Sequence, residues 1–138
     1  MGRGSGDLDE RLVGVAPNPV LAGFEGLHDF QSFTDQDPED GSTKVKVESV
    51  QVREEGALIL IRIVGSHFLW KMVRRMVGVL AEVGRGALGE ADIARLLRGP
   101  SDEVAPLTAP PSGLFLERVL YEGDPRPGPV RAVLSLPA

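Results

Sequence analysis

Apolar and polar positions change their period along these 138 residues. Between positions 44 and 53, Val45, Val47, Val50 and Val52 alternate with Lys46, Glu48 and Gln51. A period of two is that of a half-buried strand, and the slip at Ser49 and Val50 predicts a bulge or a change of register. Glu54-Glu55-Gly56 supplies a hairpin turn, and residues 57–64 (A-L-I-L-I-R-I-V) a second strand rich in β-branched side chains. After Gly65 the period lengthens to that of a helix. Stepping about 100° per residue from Met76, the side chains of Leu69, Met72, Val73, Leu80 and Val83 gather on one face. The spacing predicts a helix over 67–83, opened by Ser66 as N-cap and stopped by Gly84. His67, Lys71, Arg74 and Gly78 share the opposite side. A glycine inside a helix costs about 1 kcal/mol relative to alanine, a cost explained at Gly78 if something packs close beside Arg74.

The flanks are less regular. Residues 1–22 read as a flexible segment in which 8–15 could start a short helix behind Asp7, before Pro17 and Pro19 break it. In G-F-E-G-L-H-D-F-Q-S-F-T (23–34), Phe24, Leu27, Phe30 and Phe33 recur every three residues and should pack as an apolar cluster. His28-Asp29 reads as a buried polar pair or an Asx turn. D-Q-D-P-E-D-G (35–41) reads as a solvated acidic loop. A short helix is expected over 90–98, with Ile93, Leu96 and Leu97 inward and Arg95 and Arg98 outward. Pro100, Pro106, Pro110 and Pro111 make 99–112 a loop. A third strand should begin at Leu114 and run to 121, and 123–138 reads as a Pro/Gly-rich tail. The order of elements gives an α+β domain, an antiparallel sheet with helices packed on one face, over about 23–122.

Composition narrows the chemistry. With no cysteine and only His28 and His67, thiolate metal sites are excluded and a zinc site is unexpected. No apolar run approaches the ~20 residues of a membrane span, nor does the N-terminus carry a signal sequence, so the chain reads as soluble and cytoplasmic. The net charge of −5 speaks against wholesale nucleic-acid binding, yet it is unevenly spread. Residues 1–43 hold 2 basic and 9 acidic side chains, whereas 44–98 hold 10 basic and 6 acidic. Phosphate contacts depend on local patches, so the middle stretch is compatible with RNA. By itself, a basic stripe opposite an apolar helix face is more often simply solvated. No triad and no phosphate-cradling glycine loop stands out.

Three motifs carry a resemblance. H-F-L-W-K-M-V-R-R-M-V-G-V-L-A-E-V-G-R-G (67–86), G-L-H-D-F-Q-S-F (26–33) and A-P-P-S-G-L-F-L-E-R-V-L-Y (109–121) resemble, in order, segments of the TruA-type tRNA pseudouridine synthases. The resemblance implies half of a pseudouridine synthase fold and an isomerase, without metal or cofactor, that converts uridine to pseudouridine in the tRNA anticodon stem-loop. It also implies that Arg74, the arginine of M-V-R, pairs with the family's catalytic aspartate. A nearby guanidinium would keep that carboxylate ionised and grip it with two hydrogen bonds. On the same footing, Leu114 and Leu116 would line the pocket of a flipped uridine, and Lys71, Arg75 and Arg85 would contact phosphates.

The family's G-R-T-D-x-G aspartate motif has no counterpart in this sequence. Gly2-Arg3-Gly4-Ser5-Gly6-Asp7 lacks the Thr-Asp pair, and Asp29 belongs to another motif. The expectation is therefore a C-terminal half, inactive without the N-terminal catalytic half. Its partners would be tRNA, that missing half and further copies of itself. The alternative is a non-catalytic RNA-binding or dimerisation module derived from the same scaffold.

Overall fold

The computed structural model describes residues 18–114. The helix expected at 8–15, the strand beyond Leu114, the tail and Leu116 lie outside the described residues. A short helix, α1 (Pro19–Ala22), opens the described chain. The Asn18 side chain accepts a hydrogen bond from the Val20 amide at 2.9 Å, and proline occupies the first turn, where no amide hydrogen is needed.

Strands β1 (Gly26–Asp29), β2 (Lys44–Glu55) and β3 (Leu58–Gly65) form one antiparallel sheet in the order β1-β2-β3. The expected slip in β2 is present. Val47 pairs with Gly65 but Ser49 with Val64, so Glu48 is the extra residue, one to two positions before the break expected from the sequence. The bulge reverses the parity of the side chains. Val45 and Val47 before it and Val50 after it consequently all reach the buried face. Ile61 and Ile63 of β3, opposite Val52 and Val50, complete that side.

The aromatic segment departs from the expected period of three. Phe24, Phe30 and Phe33 are fully buried in mutual contact, with ring centroids 5.6 to 6.4 Å apart. Leu27, however, is 67% exposed. It lies within β1, where side chains alternate across the sheet, and it faces outward opposite the exposed Lys46. The strand ends in an Asx turn. Asp29 Oδ1 accepts from the Gln31 amide at 3.1 Å and from Thr43 Oγ1 at 2.6 Å.

The main helix, α2 (Met72–Gly84), begins five residues later than expected. Ser66 does not cap it. The Ser66 amide donates to the Lys46 carbonyl at 2.8 Å, and its Oγ accepts from the Lys46 amide at 3.2 Å. Ser66 thus prolongs the strand pairing, and 67–71 turn the chain before the helix starts. The stop also moves. Gly84 stays helical, while Gly86 adopts φ 85°. The Ala87 amide reaches the Glu82 carbonyl and the Gly86 amide the Val83 carbonyl, both at 3.0 Å. These two bonds define a Schellman motif, and Leu88 beyond it packs on the core. Gly86→Ala is expected to lower stability by about 1 kcal/mol, the cost of a left-handed backbone for an L-residue, read as a lower urea midpoint.

The second helix of the pair, α3 (Glu90–Leu97), points Ile93, Leu96 and Leu97 inward and Arg95 and Arg98 outward as expected. Arg95 holds Asp92 at 3.0 Å and Glu103 at 2.5 Å, tying the following loop to the helix. Met72, Met76, Val79, Leu80 and Val83 of α2 join the three phenylalanines, the sheet valines and α3 in one core. The arrangement is α+β, with the helices against the valine-bearing face of the sheet. Among the described residues no helix is long and apolar enough to cross a membrane.

Candidate functional site

The side of α2 that carries Arg74 and Gly78 is covered by the proline-rich loop. Residues 105–107 form a single 3-10 turn that lies across the helix at Gly78. A methyl group at Gly78 would overlap the Leu107 carbonyl oxygen and lie 2.7 Å from its carbon. The close neighbour expected beside Arg74 is therefore this loop.

Arg74 and Ala109 clasp each other. The Ala109 amide donates to the Arg74 carbonyl at 3.0 Å, and Arg74 Nε donates to the Ala109 carbonyl at 2.7 Å. The second bond fixes the plane of the half-buried guanidinium. Among the described residues, its two terminal amino groups have no partner. A planar fork held by its Nε and open at its far end is suited to a carboxylate.

The neighbouring cations are tied down differently. Arg75 is only 4% exposed; its Nη2 donates to Asp35 Oδ1 at 2.5 Å and its Nε to Thr108 Oγ1 at 3.2 Å. Lys71 Nζ donates to the other oxygen of Asp35 at 2.8 Å and lies 4.5 Å from the centre of the Trp70 ring. Of the three cations expected at phosphates, Arg75 therefore has almost no surface to offer. Lys71 is engaged but half-buried, and Arg85 is 70% exposed beside Glu82. Leu114 has an extended backbone and is half exposed, the end of the described chain.

Asp35 is the residue that sequence reasoning missed. It opens the acidic loop, and Asp37, Glu39 and Asp40 behind it are exposed as expected. Nothing in composition separates Asp35 from them; the fold does, by bringing 35 beside the start of α2. The Lys71 hydrogen bond and then that of Arg75 hold the Asp35 carboxyl below the ordinary carboxylate range. A carboxylate with a depressed folded pKa stabilises the fold above its unfolded value, near about 4, and loses that contribution as the pH falls through the folded value. Asp35→Asn should therefore unfold at lower urea than the parent at pH 7, and the gap should close as the medium becomes more acidic than about pH 4. A gap that does not change with pH would remove the ion pairs as its cause.

With this geometry in view, the relatives can be named. A family model described as tRNA pseudouridine synthase matches residues 20–122. The chain is 43% identical over 101 residues to a tRNA pseudouridine synthase A of Aquifex aeolicus, covering 73% of this chain and 41% of that protein. It is 44% identical over 97 residues to one from an Exiguobacterium species, covering 70% and 39%. With the Geobacillus kaustophilus protein of the same name it shares 38% over 116 residues, covering 79% and 42%. The chain belongs to the TruA-type family of tRNA pseudouridine synthases. It spans about two fifths of the length of these relatives.

Proposed function

We propose that this chain is the C-terminal domain of a tRNA pseudouridine synthase, an isomerase that converts uridine to pseudouridine in the anticodon stem-loop of cytoplasmic tRNA. The observation that carries the reading is Arg74, held through Nε by Ala109 with its two terminal amino groups unpartnered among the described residues. In this reading the catalytic aspartate comes from the N-terminal half, and the Arg74 fork receives its carboxylate. The guanidinium keeps the carboxylate ionised and aimed at the uridine, as a nucleophile requires. Leu114 and Leu116 form the apolar wall against which the flipped base rests. Lys71 and Arg85 face the tRNA phosphates, whereas Arg75, buried between Asp35 and Thr108, positions the helix that carries Arg74.

By itself the chain is inactive in this reading, because no G-R-T-D-x-G segment is present. The test supplies the missing half. The chain is mixed with a separately produced N-terminal half of a relative, and pseudouridine is measured in tRNA. Activity should appear only with both halves. A second reading, a non-catalytic RNA-binding or dimerisation module, is favoured by the exposed Leu27 and Phe68, which a second copy could cover. It predicts no activity with any partner, together with either a stable oligomer or tRNA binding that weakens steeply with salt.

A further inference from the structure

The turn that leads into α2 holds an aromatic ring in an unusual state. Trp70 is 64% exposed, although a large apolar side chain at that exposure gains little from the fold. Its orientation is nevertheless constrained. Lys71 Nζ stands 4.5 Å from the ring centre, within cation–π range. The same ammonium is anchored to Asp35 at 2.8 Å. Asp35 in turn holds the buried guanidinium of Arg75 on α2. The chain Arg75, Asp35, Lys71, Trp70 thus fastens an exposed indole to the core.

The backbone beneath is strained to make this possible. Lys71 has φ 66°, the sole positive φ of a non-glycine residue among those described. Glycine would adopt this conformation without cost. The lysine is there despite the strain, and its side chain is the one that meets both the carboxylate and the ring. Such an outlier, over-determined by its surroundings, points to use.

We propose that Trp70 is a stacking platform for an unpaired base of the RNA, with Lys71 as the cation that orients the ring and strengthens the charge of the approach. This rests on the tRNA reading above. A flat ring with an ammonium at one face and the rest in solvent fits another flat ring. Along the chain, residues 44–98 hold 10 basic and 6 acidic side chains, a local excess of positive charge that suits a phosphate backbone. Base–aromatic stacking needs no particular base, because every base has a π-face. The platform would therefore distinguish unpaired from paired RNA rather than one sequence from another.

The test uses the fact that Trp70 is the one tryptophan of the full chain. The 138-residue chain is titrated with a hairpin RNA that has an unpaired loop, and with a fully paired duplex of the same stem. Binding is followed by anisotropy of labelled RNA and by tryptophan emission. The hairpin should quench the emission and the duplex should not. Trp70→Ala should weaken hairpin binding roughly tenfold or more without affecting the duplex, and Trp70→Tyr should restore most of the loss. Lys71→Gly separates structure from binding. It relieves the strained backbone while giving up the ion pair to Asp35, so the chain should stay folded at the assay temperature, yet hairpin affinity should fall. If the hairpin binds with unchanged emission and Trp70→Ala binds it equally well, the platform is wrong and the tRNA reading stands. If neither RNA binds, the platform fails, and the reconstitution assay decides the tRNA reading separately. Emission that shifts with protein concentration in the absence of RNA would mean that a second copy covers Trp70, which also overturns the platform.

Discussion

Gly78→Ala is expected to destabilise the domain by about 3 kcal/mol, the upper range for forcing a methyl group into a packed interior. The effect is larger than helix propensity predicts, and of opposite sign. Alanine in an exposed helix position stabilises by about 1 kcal/mol over glycine. Here the added methyl would overlap the backbone carbonyl of Leu107, and a main-chain atom cannot swing aside as a flexible side chain would. Relief requires the turn at 105–107 to lift from α2, and that movement would pull Ala109 away from Arg74. Gly78→Ala should thus lower the urea midpoint and also impair the reconstituted enzyme at temperatures where it remains folded. Gly99→Ala is the control, since a methyl there meets nothing within 4 Å. It should leave stability unchanged or raise it by up to about 1 kcal/mol. Equal behaviour of the two variants would mean that the loop does not press on Gly78 in solution.

Arg74→Ala should abolish nearly all activity of the reconstituted enzyme, by about 10²- to 10³-fold in kcat, while leaving the fold largely intact. The magnitude is that of removing one preorganised electrostatic partner from a reacting group. The fold is spared because Arg74 is half-buried and its one side-chain hydrogen bond among the described residues, to the Ala109 carbonyl, lies at a loop. Arg74→Lys should fall between, since an ammonium keeps the charge but lacks the planar fork. The loss should appear in kcat with tRNA affinity little changed. A variant with full activity would remove Arg74 from the site, and one that chiefly weakens tRNA binding would make it a phosphate contact instead.

These two expectations stand at different distances from the sequence. The strand pair was legible because alternation over 44–53 and the β-branched run at 57–64 are one-dimensional signals, and the bulge too left its mark as a break in that alternation. Most of the core face of α2 was legible for the same reason, since Met72, Met76, Leu80 and Val83 follow the helical period wherever the helix begins; Val73, expected there, is only half-buried, and the buried Val79 was not expected. That something crowds Gly78 could be inferred from the cost of glycine in a helix. The identity of the crowding group could not.

What the sequence by itself determined is the set of faces: which residues of each element seek the interior, the α+β class, and through three ordered motifs the resemblance that singles out Arg74. Element ends and partners across space were decided by the tertiary structure. Ser66 has the chemistry of an N-cap, yet its amide and hydroxyl bind Lys46 of the neighbouring strand, so the helix waits until Met72. In V-G-R-G two glycines compete for the stop, and Gly86 takes it while Leu88 beyond it packs on the core. Arg74 and Arg75 are adjacent and chemically identical. One is half-buried and held through Nε by Ala109, and the other is buried on Asp35, 40 positions away in the chain. No local pattern separates two neighbouring arginines. Their roles depend on which loop the folded chain lays against each, and that is a long-range contact that periodicity does not encode.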